Sequence, residues 1–317
     1  MRALAAAALT STAASPAHAQ ADFPSRALRI VVPLAAGGPT DFLARAIAQD
    51  MARTLGQPVI VENKPGADGL IAAREVIAAP ADGHTLLLAI GSMLAAPLQS
   101  RPPAFDWRAD LAPLGRVARV PFALAVHPGV PASSVQELVL YARSHPDQLN
   151  FATSTMSELM ATAQFMRAAG ISMTRVPYKG GAQSMPDLMA GRVQVWFGPV
   201  SLIAPQVQAG SLRALATLLP ERSPALPGVP TLAEAGYASV QVPTWQALFA
   251  PAKTPAPVLE RLAAAVTAAT ARPEVRAEIE KRAIFVDAAS AAEVGRMVAA
   301  EQDGWIRLIA QYHLGSE

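Results

Sequence analysis

The chain has 317 residues, no cysteine and a formal charge of +2, with 26 basic against 24 acidic side chains. Its length suits two domains of ordinary size. The absence of thiols excludes disulfides, Cys nucleophiles, thiolate metal sites and a lipid anchor on a terminal Cys. The balanced charge, without basic runs or interleaved aromatics, gives nucleic-acid binding no support.

The first 19 residues read as an export signal: Arg2 supplies a basic start, an alanine-rich apolar run follows, and Ala17-His18-Ala19 is a small-x-small cleavage site. Cleavage after Ala19 leaves Gln20 as the first mature residue and lowers the charge to +1. The apolar run is far short of the ~20 residues of a membrane span. No later segment is long and apolar enough either. The expected product is a soluble protein of a periplasm-like compartment.

From Leu28 the chain alternates strands and helices. Leu28 to Val32 is an apolar strand, and the loop Leu34 to Asp41 follows. Phe42 to Leu55 is a helix, with Leu43, Ile47 and Met51 on one face and Arg45, Gln49 and Arg53 on the other. Gly56 ends it. Pro58 to Glu62 is a strand, Asn63 to Gly69 a Gly-rich loop, Leu70 to Ala79 a helix and Thr85 to Ala89 a strand. This order predicts parallel strands with right-handed crossovers. Ligands of such sheets bind beyond the carboxyl ends of the strands. The loops Leu34 to Asp41, Asn63 to Gly69 and Ile90 to Met93 share that edge.

The pattern restarts around Val117 to Phe122. Strands are expected at Ala123 to Val126, Asn150 to Thr153, Arg175 to Tyr178, Val193 to Phe197 and Leu212 to Thr217. Helices are expected at Val135 to Ser144, Glu158 to Ala169, Pro186 to Ala190 and Ala204 to Ala209. The prolines from Pro224 to Pro230 and then Pro243-Thr244-Trp245 mark the chain crossing back. Pro257 to Ala271, Pro273 to Lys281 and Ala291 to Tyr312 complete it as helices. The expected fold is α/β, with residues 20–121 plus 243–317 as one domain and 122–242 as the other. Each is read as a mainly parallel sheet flanked by helices.

The loop Leu34-Ala35-Ala36-Gly37-Gly38-Pro39-Thr40-Asp41 carries the chemistry. Two glycines let backbone amides close around an anion, with the positive end of a helix behind them. The alternative is a tight turn without a ligand. Asp41 either holds a ligand through water or caps the helix and orders the loop. Ser92 donates to a carboxylate or to a loop carbonyl. Thr153, Ser154 and Thr155 are ligand donors or a helix cap. Tyr178 reaches the cleft or sits half-buried in its strand, and Lys179 faces solvent. Trp245 covers the cleft, while Trp196 packs in the core. No metal, cofactor or catalytic residue is read. His84, His127, His145 and His313 lack ligand spacing, and no Gly-x-Ser-x-Gly elbow occurs. Glu62 stands where a dinucleotide fold places its ribose acid, but the preceding loop lacks Gly-x-Gly-x-x-Gly.

Three stretches, FPSRALRIVVPLAAGGPTDFLARAIAQDMARTLGQPVIVENKPGADG, VPYKGGAQSMPDLMAGRVQVWF and AGSLRALATLLPERSPALPGVPTLAEAG, carry a resemblance. In order and spacing they resemble the periplasmic substrate-binding receptors of tripartite tricarboxylate transporters, the Bug receptors. The resemblance implies a two-domain clamshell of the type II periplasmic-binding-protein kind. It also implies a small carboxylate held between the lobes through backbone amides, Ser/Thr hydroxyls and water. By likeness the ligand set is Leu34, Ala36, Gly37, Gly38, Thr40, Asp41, Ser92, Thr153, Ser154, Thr155, Tyr178, Gly181 and Gly198. A membrane permease is the implied partner, and the receptor is expected to be a monomer. A periplasmic sensor subunit with the same site is the alternative, and a nucleotide-dependent enzyme a distant third. The chain departs from the family in three places. Leu34 replaces the usual Phe. The loop Phe151 to Met160 is about two residues short and lacks the usual Gly-Asn-Gly and His. Gly198 stands in place of an Asp, which removes a partner for a ligand ammonium and favours a plain carboxylate.

Overall fold

A computed structural model describes residues 23–100 and 102–312; the expected signal segment lies outside them. Eleven strands form among the described residues: β1 (Leu28–Val32), β2 (Val59–Asn63), β3 (Thr85–Ile90), β4 (Leu111–Arg119), β5 (Phe122–Val126), β6 (Asn150–Thr153), β7 (Thr174–Pro177), β8 (Val195–Pro199), β9 (Arg213–Thr217), β10 (Trp245–Pro251) and β11 (Phe285–Ser290). They make a six-stranded sheet, β11-β4-β10-β3-β1-β2, and a five-stranded sheet, β7-β6-β8-β5-β9. The helices are α1 (Pro39–Leu55), α2 (Leu70–Ala78), α3 (Trp107–Asp110), α4 (Val135–Ser144), α5 (Met156–Ala169), α6 (Gly181–Met189), α7 (Val200–Gln208), α8 (Ala256–Ala271), α9 (Pro273–Glu280) and α10 (Ala291–Tyr312). A 3-10 helix spans Gly91–Gln99. None of the described helices is long and apolar enough to cross a membrane.

Alternation along β1 sets the layers of the first sheet. Leu28, Ile30 and Val32 share one core with Leu43, Ile47 and Met51 of α1. Val31 turns to the opposite face and joins Ala73 and Val76 of α2. Successive strand side chains point to opposite faces, so four of the five β1 residues bury against two helices. The second sheet repeats the plan. Trp196 packs with Leu188 of α6 and Ile203 of α7, whereas its neighbour Phe197 meets Phe165 of α5 edge-on, with ring centroids 5.6 Å apart.

The sheets are mixed, which corrects the mainly parallel expectation. β1 pairs parallel with β2 and β3, but β10 runs antiparallel between β3 and β4, and β11 antiparallel to β4. In the second sheet β6 is parallel to both neighbours, while β5 is antiparallel to β8 and β9. The cause lies in the strands that adjoin the passages between sheets. The chain leaves the first sheet after β4, enters the second at β5, and returns directly into β10. β5 and β10, entered this way, run against their paired neighbours, and β11, reached from β10 through α8 and α9, keeps the direction of β10. The two passages lie side by side, with the Val120 amide donating to the Thr244 carbonyl at 2.9 Å.

Candidate functional site

The loop after β1 turns on Gly37, whose φ of +88° is a left-handed value that side-chain-bearing residues rarely adopt. Gly38 then caps α1 in an extended conformation, with Pro39 opening the helix. Pro at this position gives up only an amide that the helix could not use. Asp41 organises the turn. Its carboxylate accepts from the Gly37 amide at 3.1 Å and from Arg45 at 2.9 Å. Burial pulls this carboxyl up, but the Arg45 guanidinium, the Gly37 amide and Asn63 outweigh it and hold it below the ordinary range. Asn63 ties the loop down by donating to the Leu34 carbonyl at 2.9 Å. Asp41 therefore orders the loop ahead of the helix, without a hydrogen bond to a helix amide, and does not line the cleft.

The cleft lies beside the two passages between the sheets and encloses about 510 Å³, including space open to solvent. Three helix starts meet there. Gly38, Pro39 and Thr40 open α1; Ser154, Thr155 and Ser157 surround the start of α5; Gly180 and Gly181 open α6. Each start presents unpaired amides and the positive end of a helix dipole. Among the described residues, the amides of Gly38 and Thr40 have no acceptor. Gln246 of β10 donates from Nε2 to Thr40 Oγ1 at 2.9 Å, so the Thr40 proton is left to point elsewhere. The Oε1 atom of Gln246 is buried without a partner. Leu34, Val120, Phe122, Pro243 and Trp245 supply apolar wall. The two lobes touch across the cleft, where the Ala35 amide donates to the Lys179 carbonyl at 3.3 Å.

At the second lobe, Thr155 caps α5 by accepting from the Glu158 amide at 3.2 Å. The Glu158 carboxylate reaches back to the Ser154 amide at 2.5 Å and Ser154 Oγ at 2.9 Å. This is a capping box shifted by one residue. Trp196 Nε1 donates to the same carboxylate at 3.1 Å. Glu158 is 1% exposed. Burial pushes its carboxyl up to about 7, although the Ser154 amide, the Trp196 indole and the Ser154 hydroxyl pull it down.

Seven of the thirteen residues named from the sequence line this cleft: Leu34, Gly38, Thr40, Ser92, Ser154, Thr155 and Gly181. The others have different surroundings. Ala36 is exposed, and Gly37 lines an adjoining groove with Leu202 and Arg282 that shares Gly38 and Pro39 with the cleft. The Thr153 hydroxyl accepts from Arg175 Nε at 2.9 Å. The Tyr178 hydroxyl donates to Asp187 at 2.7 Å; burial and then Asp187 push its phenol up to about 12. Gly198 is a spacer, since a Cβ there would fall 2.3 Å from the Trp196 ring. Glu158, Ser157 and Gln246 line the cleft but were not named from the sequence. The Thr155-x-x-Glu158 spacing signals the capping role of Glu158, though not its position in the cleft. Among the described residues no cluster of three His, Cys, Asp or Glu could hold a metal.

Residues 43–314 match the tripartite tricarboxylate transporter family receptor. The chain belongs to this family. Its relatives include BugT of Bordetella pertussis, 34% identical over 248 residues, covering 77% of this chain and 76% of that one. The periplasmic binding protein BugD superposes with a TM-score of 0.88 at 30% identity, covering 93% of this chain and all of that one. An R. palustris protein solved with adipate superposes with a TM-score of 0.86 at 32% identity, covering 92% and 99%. The two-domain α/β architecture of the tripartite transporter receptors is thus the architecture of this chain. Family members and these structural neighbours are solute-binding proteins, not enzymes.

Proposed function

We propose that the protein is a periplasmic receptor that captures a small organic carboxylate in the cleft and delivers it to the membrane permease of a tripartite transporter. The observation that carries this reading is the meeting of three helix starts at a cleft without a single cationic side chain. Micromolar affinity requires about −8 kcal/mol. A carboxylate near a helix start gains up to roughly 2 kcal/mol, and charge-assisted hydrogen bonds add about 1.5–3 kcal/mol each. Four or five contacts, less the cost of ordering and closure, reach that range. The adipate-bound neighbour supports the same ligand class. In this reading residues 20–121 plus 243–317 form one lobe and 122–242 the other. They swing about the paired passages, the signal is removed after Ala19, and the receptor acts as a monomer.

The test is a thermal-shift screen against mono-, di- and tricarboxylates, aromatic acids and neutral sugars. A ligand that binds only the folded chain raises its melting temperature. At least one acid should do so and the sugars should not. Shifts from sugars alone would overturn the reading.

A further inference from the structure

Among the described residues lining the cleft, Glu158 is the one with an ionisable side chain. Ser154 Oγ reaches both of its oxygens, Oε1 at 2.9 Å and Oε2 at 3.1 Å, but the remaining donors are all on one. Oε2 accepts from the Ser154 amide and from Trp196 Nε1, and both of those groups can only donate. Oε1 has Ser154 Oγ, the nearer of the two contacts, as its one hydrogen-bond partner among the described residues, and a hydroxyl both donates and accepts. Ser154 in turn lines the cleft.

The protonation of Glu158 therefore sets the polarity of Ser154. With the carboxyl ionised, the hydroxyl donates to Oε1 and offers lone pairs to the cleft. With Oε1 protonated, the carboxyl donates to Oγ, and the hydroxyl proton is released toward the cleft. The surroundings leave this balance to the ligand. β8 presents Trp196 and no charge, and the 3-10 helix Gly91–Gln99 carries no charged residue. β6 ends at Thr153, which holds Arg175 Nε at 2.9 Å. Lys179 is exposed in the loop before α6. Glu301 of α10 stands behind Trp245, accepting from its Nε1 at 2.8 Å. None of these cations forms an ion pair with Glu158 among the described residues.

We propose that Glu158, working through Ser154, determines the charge of the ligand's far end: ionised, it admits a hydroxyl- or amine-bearing monoacid; protonated, it admits a second carboxylate, so that capture of a dicarboxylate takes up one proton. The inference rests on the carboxylate-receptor reading and adds to it the chemistry of the second wall. Burial that raises the carboxyl to about 7 keeps both states within reach near neutrality. A second carboxylate beside an ionised, buried carboxylate would be strongly repelled.

Three probes of one length separate the possibilities: hexanoate, 6-hydroxyhexanoate and adipate, titrated calorimetrically into the full mature chain. Measurements at pH 6.5 and 8.5 keep adipate a dianion, and two buffers of different ionisation heat report protons taken up. Adipate binding should weaken at least about tenfold between these pH values and should take up close to one proton at the higher one. 6-Hydroxyhexanoate, whose hydroxyl can donate to Ser154 in the ionised state and accept from it in the protonated one, should bind equally at both, without proton uptake. In Glu158→Gln the amide donates to Ser154 Oγ at every pH, so adipate should bind at pH 8.5 as it binds the unaltered protein at 6.5. Adipate binding that is flat with pH and free of proton uptake overturns the inference, as does a pH dependence that survives Glu158→Gln. Adipate refused by both proteins while hexanoate binds overturns it too. If none of the acids in this set or in the wider screen binds, the carboxylate reading itself fails.

Discussion

The two walls of the cleft are built on opposite principles. The first, from β1 through the start of α1, offers amides and one hydroxyl, and its ionised group, Asp41, is turned away to hold the loop. The second, at the start of α5, brings a carboxyl to the cleft and holds it with Ser154 and Trp196. Asp41 is stabilised as an anion by a cation and an amide, whereas Glu158 has donors but no cation and is pushed toward neutrality. The first wall is therefore constant through the neutral range and the second is not. A site without cationic side chains can still respond to acid, provided one buried carboxyl sits behind a hydroxyl.

The strongest way to break this contrast is to remove the indole that supports the second wall. Trp196→Ala deletes a fully buried side chain and leaves Glu158 without its ring donor. A loss of about 3–5 kcal/mol in urea unfolding is expected. Trp196→Phe keeps most of the volume and isolates the hydrogen bond.

Next comes the pH dependence of stability. The Glu158 carboxyl rises from 4.5 to about 7 on folding. Between those values the folded chain holds a proton that the unfolded chain has released, so stability falls as pH rises through this window. The full effect is about 3 kcal/mol. Urea titrations at pH 4.5 and 8 should show it in the unaltered chain, and Glu158→Gln should remove it.

Asp41 should behave with the opposite sign. Its carboxyl is held below its ordinary value, so its stabilisation is present above pH 3.8 and is lost as pH falls through the folded value. Asp41→Ala frees the Gly37 amide and Arg45, and should cost about 2 kcal/mol. It should weaken carboxylate binding without altering its pH dependence, as calorimetry can check. The smallest effect belongs to Gly37→Ala. The nearest atom to an added Cβ is Ala182 Cβ at 3.8 Å, so the cost comes from φ alone. About 1 kcal/mol is expected, read as a small drop in melting temperature.

The sequence displays the first wall better than the second. Spacing of Leu43, Ile47 and Met51 reveals α1, and Gly37-Gly38 before it reveals the turn. Pro243-Thr244-Trp245 marks the return passage. The strand it opens, β10, is not visible in the sequence because all seven of its residues are buried; a strand covered on both faces has no alternation to detect. β4 is obscured by Pro113, Gly115 and irregular register. At the second wall, Thr153, Ser154 and Thr155 are chemically alike. Only the fold assigns them to Arg175, to Glu158 and the cleft, and to the helix cap. Gln246 and Glu158 come from distant parts of the chain, and amide-built sites leave little trace in side-chain identity.

The bond from the Val120 amide to the Thr244 carbonyl has a mechanical consequence. Two connections fastened to each other cannot slide or twist independently without breaking that link. A relative rotation that carries both passages together keeps the link, whereas one that draws them apart does not. A membrane partner would then meet the same pair of surfaces in the same relative orientation each time the rotation completes.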